Sequence, residues 1–103
     1  MIKHIETINE FEEFIKDGKV IIDFYANWCG PCKMLAPVLE DLDQEVSGLK
    51  IGKINVDDLG ELAERYTVFS IPTLILIKDG EEIKKQVGFL PKNSLKHLIE
   101  KSF

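Results

Sequence analysis

The sequence predicts an α/β fold: one central mixed sheet with helices on both faces. Three observations carry that expectation. Stretches with strand-like and helix-like spacing alternate along the chain in the order β-α-β-α-β-α-β-β-α. One of them, Val20-Ile21-Ile22-Asp23-Phe24-Tyr25-Ala26, is apolar almost throughout, as a strand covered on both faces must be. The last two strand segments flank Asp79-Gly80, a hairpin signal, whereas helical stretches separate the earlier ones, which should therefore include parallel neighbours.

In chain order, a short strand is expected from Lys3 to Glu6. Thr7 and Glu10 then have the spacing of a capping box, and Ile8, Phe11, Phe14 and Ile15 form the apolar stripe of a helix that ends near Asp17-Gly18. The strand Val20 to Ala26 follows. Leu35, Val38, Leu39, Leu42 and Val46 mark a helix from about Cys32 to Val46, with a kink expected at Pro37 because proline removes a backbone donor and crowds the preceding turn. Leu49 to Asp57 alternates as a strand. Leu59, Leu62, Ala63 and Tyr66 give a helix from about Asp58 to Tyr66. Thr73 to Lys78 and Glu81 to Gly88 are the hairpin strands, and Leu95, Leu98 and Ile99 mark a final helix whose first turn suits Pro91.

A chain of 103 residues suits a single domain, residues 1–103, and 45% hydrophobic with 30% charged residues is ordinary for a globular protein. The net charge is −5 and the basic residues are scattered, which argues against nucleic acid as a partner. No apolar run approaches the roughly 20 residues that span a bilayer, and Met1 to Phe11 has no apolar signal region, so no membrane partner and a cytoplasmic location are expected.

Cys29 and Cys32 are the only cysteines, three residues apart with Gly30-Pro31 between them. A closed zinc site needs four ligands, and beyond this pair the chain offers only His4 and His97, which are not paired in sequence. A structural disulfide closing so short a loop contributes only about 2 kcal/mol by chain entropy and is uncommon among cytosolic proteins. The third reading is a dithiol that cycles between reduced and oxidised forms. A buried strand ends just before the pair and a helix starts at it, so unpaired N–H groups and the helix dipole favour a thiolate at Cys29. Thiolate is the attacking species in disulfide exchange, and the spacing brings Cys32 within its reach.

Trp-Cys-Gly-Pro-Cys-Lys at Trp28 to Lys33, preceded by VIIDFYA and followed by SIPTLILIKDG, closely resembles the thioredoxin family, in order and length over essentially the whole chain. The resemblance implies a thioredoxin fold and a protein disulfide reductase. Cys29 would attack a disulfide in a target protein, and Cys32, the more buried of the two, would resolve the mixed disulfide. It also implies recharging by a flavin-containing thioredoxin reductase with electrons from NADPH, no bound cofactor or metal, disulfide-containing proteins as partners, and a monomer. Gly30-Pro31 resembles the reducing members; oxidant and isomerase relatives usually carry a histidine before the second cysteine, which stabilises the reduced pair.

Further residues acquire expected roles from the same resemblance. Asp23 is a carboxylate in an apolar strand, costly to bury without a partner, and matches the family acid that takes a proton from the second cysteine; burial should raise its pKa. Lys53 matches the lysine near that acid. Pro72 matches a cis-proline facing the cysteines, beside which the Ile71 backbone is free to pair with an extended substrate segment. Trp28, Gly30, Pro31, Ile71, Pro72 and Gly88 would form an exposed contact patch, with Gly88 leaving room for the partner backbone. Tyr25, Asn27, Phe69 and Phe89 depart from the commonest family pattern, the last two at the expected contact rim. The competing class is a binding module that does not use its thiols, and Cys29→Ser discriminates the two.

Overall fold

A computed structural model describes residues 1–103. The elements are β1 (Ile2–His4), α1 (Ile8–Ile15), β2 (Lys19–Tyr25), α2 (Gly30–Glu45), β3 (Leu49–Asn55), α3 (Gly60–Arg65), β4 (Thr73–Lys78), β5 (Glu81–Val87) and α4 (Lys92–Ser102). The five strands form one sheet in the order β1-β3-β2-β4-β5, parallel among β1, β3 and β2 and antiparallel from β2 to β4 to β5. This is the expected mixed sheet and element order.

The two-residue period of β2 divides the core. Val20, Ile22 and Phe24 point into a cluster with Phe11, Phe14 and Ile15 of α1 and Leu62 and Ala63 of α3. Ile21 points the other way, to Leu35, Leu39 and Leu42 of α2 and Leu95 and Ile99 of α4. Each such side chain, fully buried, stabilises by about 1.5–3 kcal/mol. Gly52 of β3 faces the first layer. A Cβ there would stand 2.6 Å from Ile5 Cδ1 and 3.0 Å from both Ile22 Cδ1 and Phe14 Cε2, so glycine lets α1 approach the sheet.

Several boundaries differ from the expected ones. The first strand starts at Ile2 and ends at His4, because the Ile5 N–H already donates to Lys53 O at the strand's end and Thr7 is the N-cap of α1. The Thr7 hydroxyl accepts from the Glu10 N–H at 3.1 Å and turns its own proton to the Glu10 carboxylate at 3.3 Å, so only the first half of the capping box forms. The cysteine helix starts at Gly30, not near Cys32, and contains Pro37 as expected. The third helix is shorter than its apolar spacing suggests, since the Asp58 and Leu59 N–H groups close a turn onto Asn55 O. Pro91 caps α4 with extended backbone (ψ 161°) and so precedes its first turn.

Asp79 and Gly80 take positive φ (48° and 87°) in the hairpin between β4 and β5. The Asp79 carboxylate accepts the Gly18 N–H at 2.7 Å, tying this turn to the one before β2 at the end of the sheet away from the cysteines.

Candidate active site

The cysteines stand where β2 hands over to α2. Cys29 is the N-cap of α2 with extended backbone (φ −91°, ψ 112°), and its Sγ accepts the Cys32 N–H at 3.2 Å. Pro31 takes a first-turn position where its missing N–H leaves nothing unsatisfied. Cys29 and Cys32 are joined in a disulfide with their Cα atoms 5.3 Å apart. Both cysteines are buried, Cys29 5% and Cys32 4% exposed, because Ala26, Tyr25, Val56 and Ile71 cover the pair together.

On one side lies a groove of about 420 Å³ lined by Trp28, Val56, Ala63, Val68, Phe69, Ser70 and Ile71. Trp28 is 71% exposed and Phe69 92%. The Trp28 indole donates to Asp57 Oδ2 at 3.1 Å, and the Asp57 N–H is held by Asn55 Oδ1 at 2.9 Å. Ile71 O lies 3.8 Å from Cys29 Sγ, and no hydrogen bond engages the Ile71 N–H. The Ile71–Pro72 peptide is cis. Pro72 itself is buried, so within the expected patch its ring is not an exposed surface. The Gly88 N–H donates to Pro72 O at 2.8 Å, and Gly88 has φ 91°, a conformation that favours glycine.

Behind the pair lies Asp23, fully buried on the α2 side of the sheet by the same alternation that places Ile21 there. Lys53 is its register partner on β3, and the ammonium lies 3.7 Å from Asp23 Oδ2. That is an ion pair beyond hydrogen-bond reach, and neither carboxylate oxygen has a hydrogen-bond partner. Burial pushes the carboxyl up to about 6, against the opposing pull of the Lys53 charge. The ammonium also sits 4.9 Å from the centre of the Tyr25 ring. Burial first, then the Asp23 and Asp58 charges, raise the Tyr25 hydroxyl pKa. A cavity of about 140 Å³, bounded among others by Cys32, Ala36, Tyr25 and Lys53, joins the second cysteine to the lysine.

The structure thus brings Cys29, Cys32, Trp28, Ile71 and Pro72 to one edge, with Lys53 and Asp23 behind; Gly30 and Pro31 are exposed on the first turn of α2. Asp57, Val56 and Val68 were not among the expected site residues. They reach the site from other elements through space, and nothing in their own sequence neighbourhood marks them. No group of three or more His, Cys, Asp or Glu side chains is arranged to hold a metal, and no helix is long and apolar enough to cross a membrane.

The family model for thioredoxin matches residues 2–101. This chain belongs to the thioredoxin family. A thioredoxin from Chlamydia caviae is 57% identical over 99 residues, covering 96% of this chain and 96% of the relative. The thioredoxin of Bacillus subtilis is 53% identical over 96 residues, covering 92% of each chain. Among solved structures, a mutant thioredoxin from Halobacterium salinarum superposes with a TM-score of 0.89 at 39% identity, covering 98% of this chain and 89% of that one. The function is thioredoxin-type dithiol–disulfide exchange by the Cys29–Cys32 pair, and the chain is a disulfide oxidoreductase of the thioredoxin fold.

Proposed function

We propose that this chain is a cytoplasmic electron carrier, one domain over residues 1–103, that reduces disulfides in target proteins as a monomer. The observation that carries the reading is the Cys29 sulfur as N-cap acceptor of α2, 3.2 Å from the Cys32 N–H and beside an apolar groove. That N–H and the positive helix end favour the thiolate over the thiol.

The Cys29 thiolate attacks one sulfur of the target disulfide. A Cys29–target bond forms, the target disulfide breaks, and the departing sulfur takes up a proton. Cys32 then gives its proton to the Asp23 carboxylate by way of the cavity it shares with Lys53, and attacks Cys29 Sγ. The Cys29–Cys32 bond forms as the mixed disulfide breaks, and the second target thiol leaves. Two electrons pass from the pair to the target. A carboxyl near 6 suits this exchange, since it both accepts and returns a proton near neutral pH. Lys53 steadies the carboxylate form by its charge.

Trp28, Gly30, Pro31, Ile71 and Gly88 form the contact surface for the target, with Pro72 buried beneath it, and the target's extended backbone pairs with the free Ile71 N–H. Recharging falls to a flavin-containing thioredoxin reductase that draws electrons from NADPH. The carrier needs no bound cofactor or metal, because the redox equivalents reside in the two sulfurs.

Equilibration against a defined thiol–disulfide buffer tests the reading. A reduction potential near about −270 mV, the value characteristic of thioredoxins and not one obtained from this geometry, is expected. A value between about −180 and −120 mV belongs to an isomerase or oxidant and would replace it.

A further inference from the structure

The loop that carries Phe69 and Ile71 leaves α3 through an unusual residue. The Val68 N–H donates to Ala63 O at 2.8 Å and the Thr67 N–H to Glu64 O at 3.1 Å. This pair of bonds is the Schellman ending, whose left-handed position is normally glycine. Here it is Thr67, with φ 52°. A β-branched residue in that region is a clear outlier, because its Cβ substituents crowd the backbone.

Lys85 reaches this residue from β5. Its ammonium donates to Thr67 Oγ1 at 2.6 Å and to Thr67 O at 3.2 Å, while the Thr67 hydroxyl donates to Tyr66 O at 2.7 Å. Lys85 is paired with Ile75, whose side chain packs in the α1/α3 layer, so β5 directs the lysine toward the end of α3. Three residues further along, the Gly88 N–H holds Pro72 O. The loop is therefore pinned at both ends by one edge strand, and Phe69 and Ile71 lie between the pins.

We propose that Lys85 is a positioning residue for target binding: it clamps Thr67 in the left-handed conformation and so aims the Val68–Pro72 segment along the groove beside Cys29. The inference rests on the reading that this groove receives the target protein. Without the clamp, Thr67 relaxes toward its ordinary conformations and the groove's wall moves with it. Glycine at 67 needs no clamp, since it adopts positive φ freely.

The test is the steady-state kinetics of insulin reduction, with dithiothreitol in excess returning the Cys29–Cys32 disulfide to its reduced form and its direct reaction with insulin subtracted. Lys85→Met, Thr67→Gly and the double variant are compared. Lys85→Met is expected to raise KM about five- to tenfold with kcat nearly unchanged, a loss in the range of measured pairwise couplings. Its reduction potential should match that of the unchanged chain, and adding Thr67→Gly should restore KM. An unchanged KM for Lys85→Met overturns the proposal. So does an equal fall of kcat with KM unaltered, or a double variant no better than Lys85→Met alone. If Lys85→Met does not fold, the double variant decides: a KM near that of Thr67→Gly supports the clamp, and a raised one overturns it. Failure of the groove reading itself appears separately, as a variant of the exposed groove wall, Phe69→Asp, whose KM equals that of the unchanged chain.

Discussion

The N-termini of α1 and α2 are built alike and do different things. Thr7 and Cys29 are both extended N-caps, and each accepts the N–H three residues on, at 3.1 Å to oxygen and 3.2 Å to sulfur. At α1 the positive helix end also faces a carboxylate, Glu10. The first turn of α2 has no acidic residue. An oxygen cap satisfies an orphan donor and contributes helix stability only. A sulfur cap can ionise, so the same donor and dipole become a means of holding a nucleophile. Leaving the first turn of α2 free of acid keeps that field available for the thiolate.

Cys29→Ser breaks the likeness most sharply, because serine is the better cap and has no redox chemistry. Disulfide reduction should fall by about a thousandfold or more. The thermal midpoint should stay close to that of the reduced parent, as measured by circular dichroism.

Asp23→Asn asks whether a favourable helix end suffices without a base behind the pair. Burial raises the folded-state carboxyl from 3.8 to about 6, so between those pH values the folded chain holds a proton that the unfolded chain has lost. The associated stability is fully present below about pH 4 and is lost as pH rises through about 6. At pH 7.5 the ionised carboxylate opposes folding by about 3 kcal/mol. Urea unfolding across pH 4 to 7.5 should therefore show the decline in the parent and a flat profile in Asp23→Asn, with the variant more stable at the upper end. Resolution of the mixed disulfide should slow in the same variant by about a hundredfold.

Thr7→Ala removes only the oxygen cap. It should cost about 1 kcal/mol in urea unfolding and leave the reduction of insulin unaffected. Gly30→Glu gives α2 the acid that α1 has, at a position with open space for a side chain. The pH profile of Cys29 alkylation by iodoacetamide should move to higher pH, corresponding to about 0.3–1 kcal/mol of lost thiolate stabilisation.

Much of this arrangement was legible along the chain, and the physical reason is locality. A single acid in an otherwise apolar strand announces a buried carboxylate, and Asp23 is one. Alternation within β2 and β3 then puts Asp23 and Lys53 on the same side of the sheet. The capping threonine and the Asp79-Gly80 hairpin are likewise decided by near neighbours. Contacts between distant elements were not legible. Nothing near Asp57 says that it will hold the Trp28 indole, and nothing near Lys85 says that it will reach Thr67. The cover that Val56 and Ile71 lay over the cysteines was illegible for the same reason, since both arrive from loops distant in sequence. The late start expected for α2 followed from its apolar stripe, which begins after the capping turn has already formed.

The shallow groove beside Trp28 and Phe69 has a consequence for timing. A recess of about 420 Å³ takes a side chain or two, and its seven lining residues compare with roughly 20–30 a side in a lasting protein–protein complex. If the groove receives the target as proposed, non-covalent grip is brief and dwell time on a client is set by the lifetime of the mixed disulfide. Attachment ends in the same step that completes the chemistry, so departure does not wait on slow dissociation. One small surface can in this way serve many unlike clients in succession and still not be sequestered by any of them.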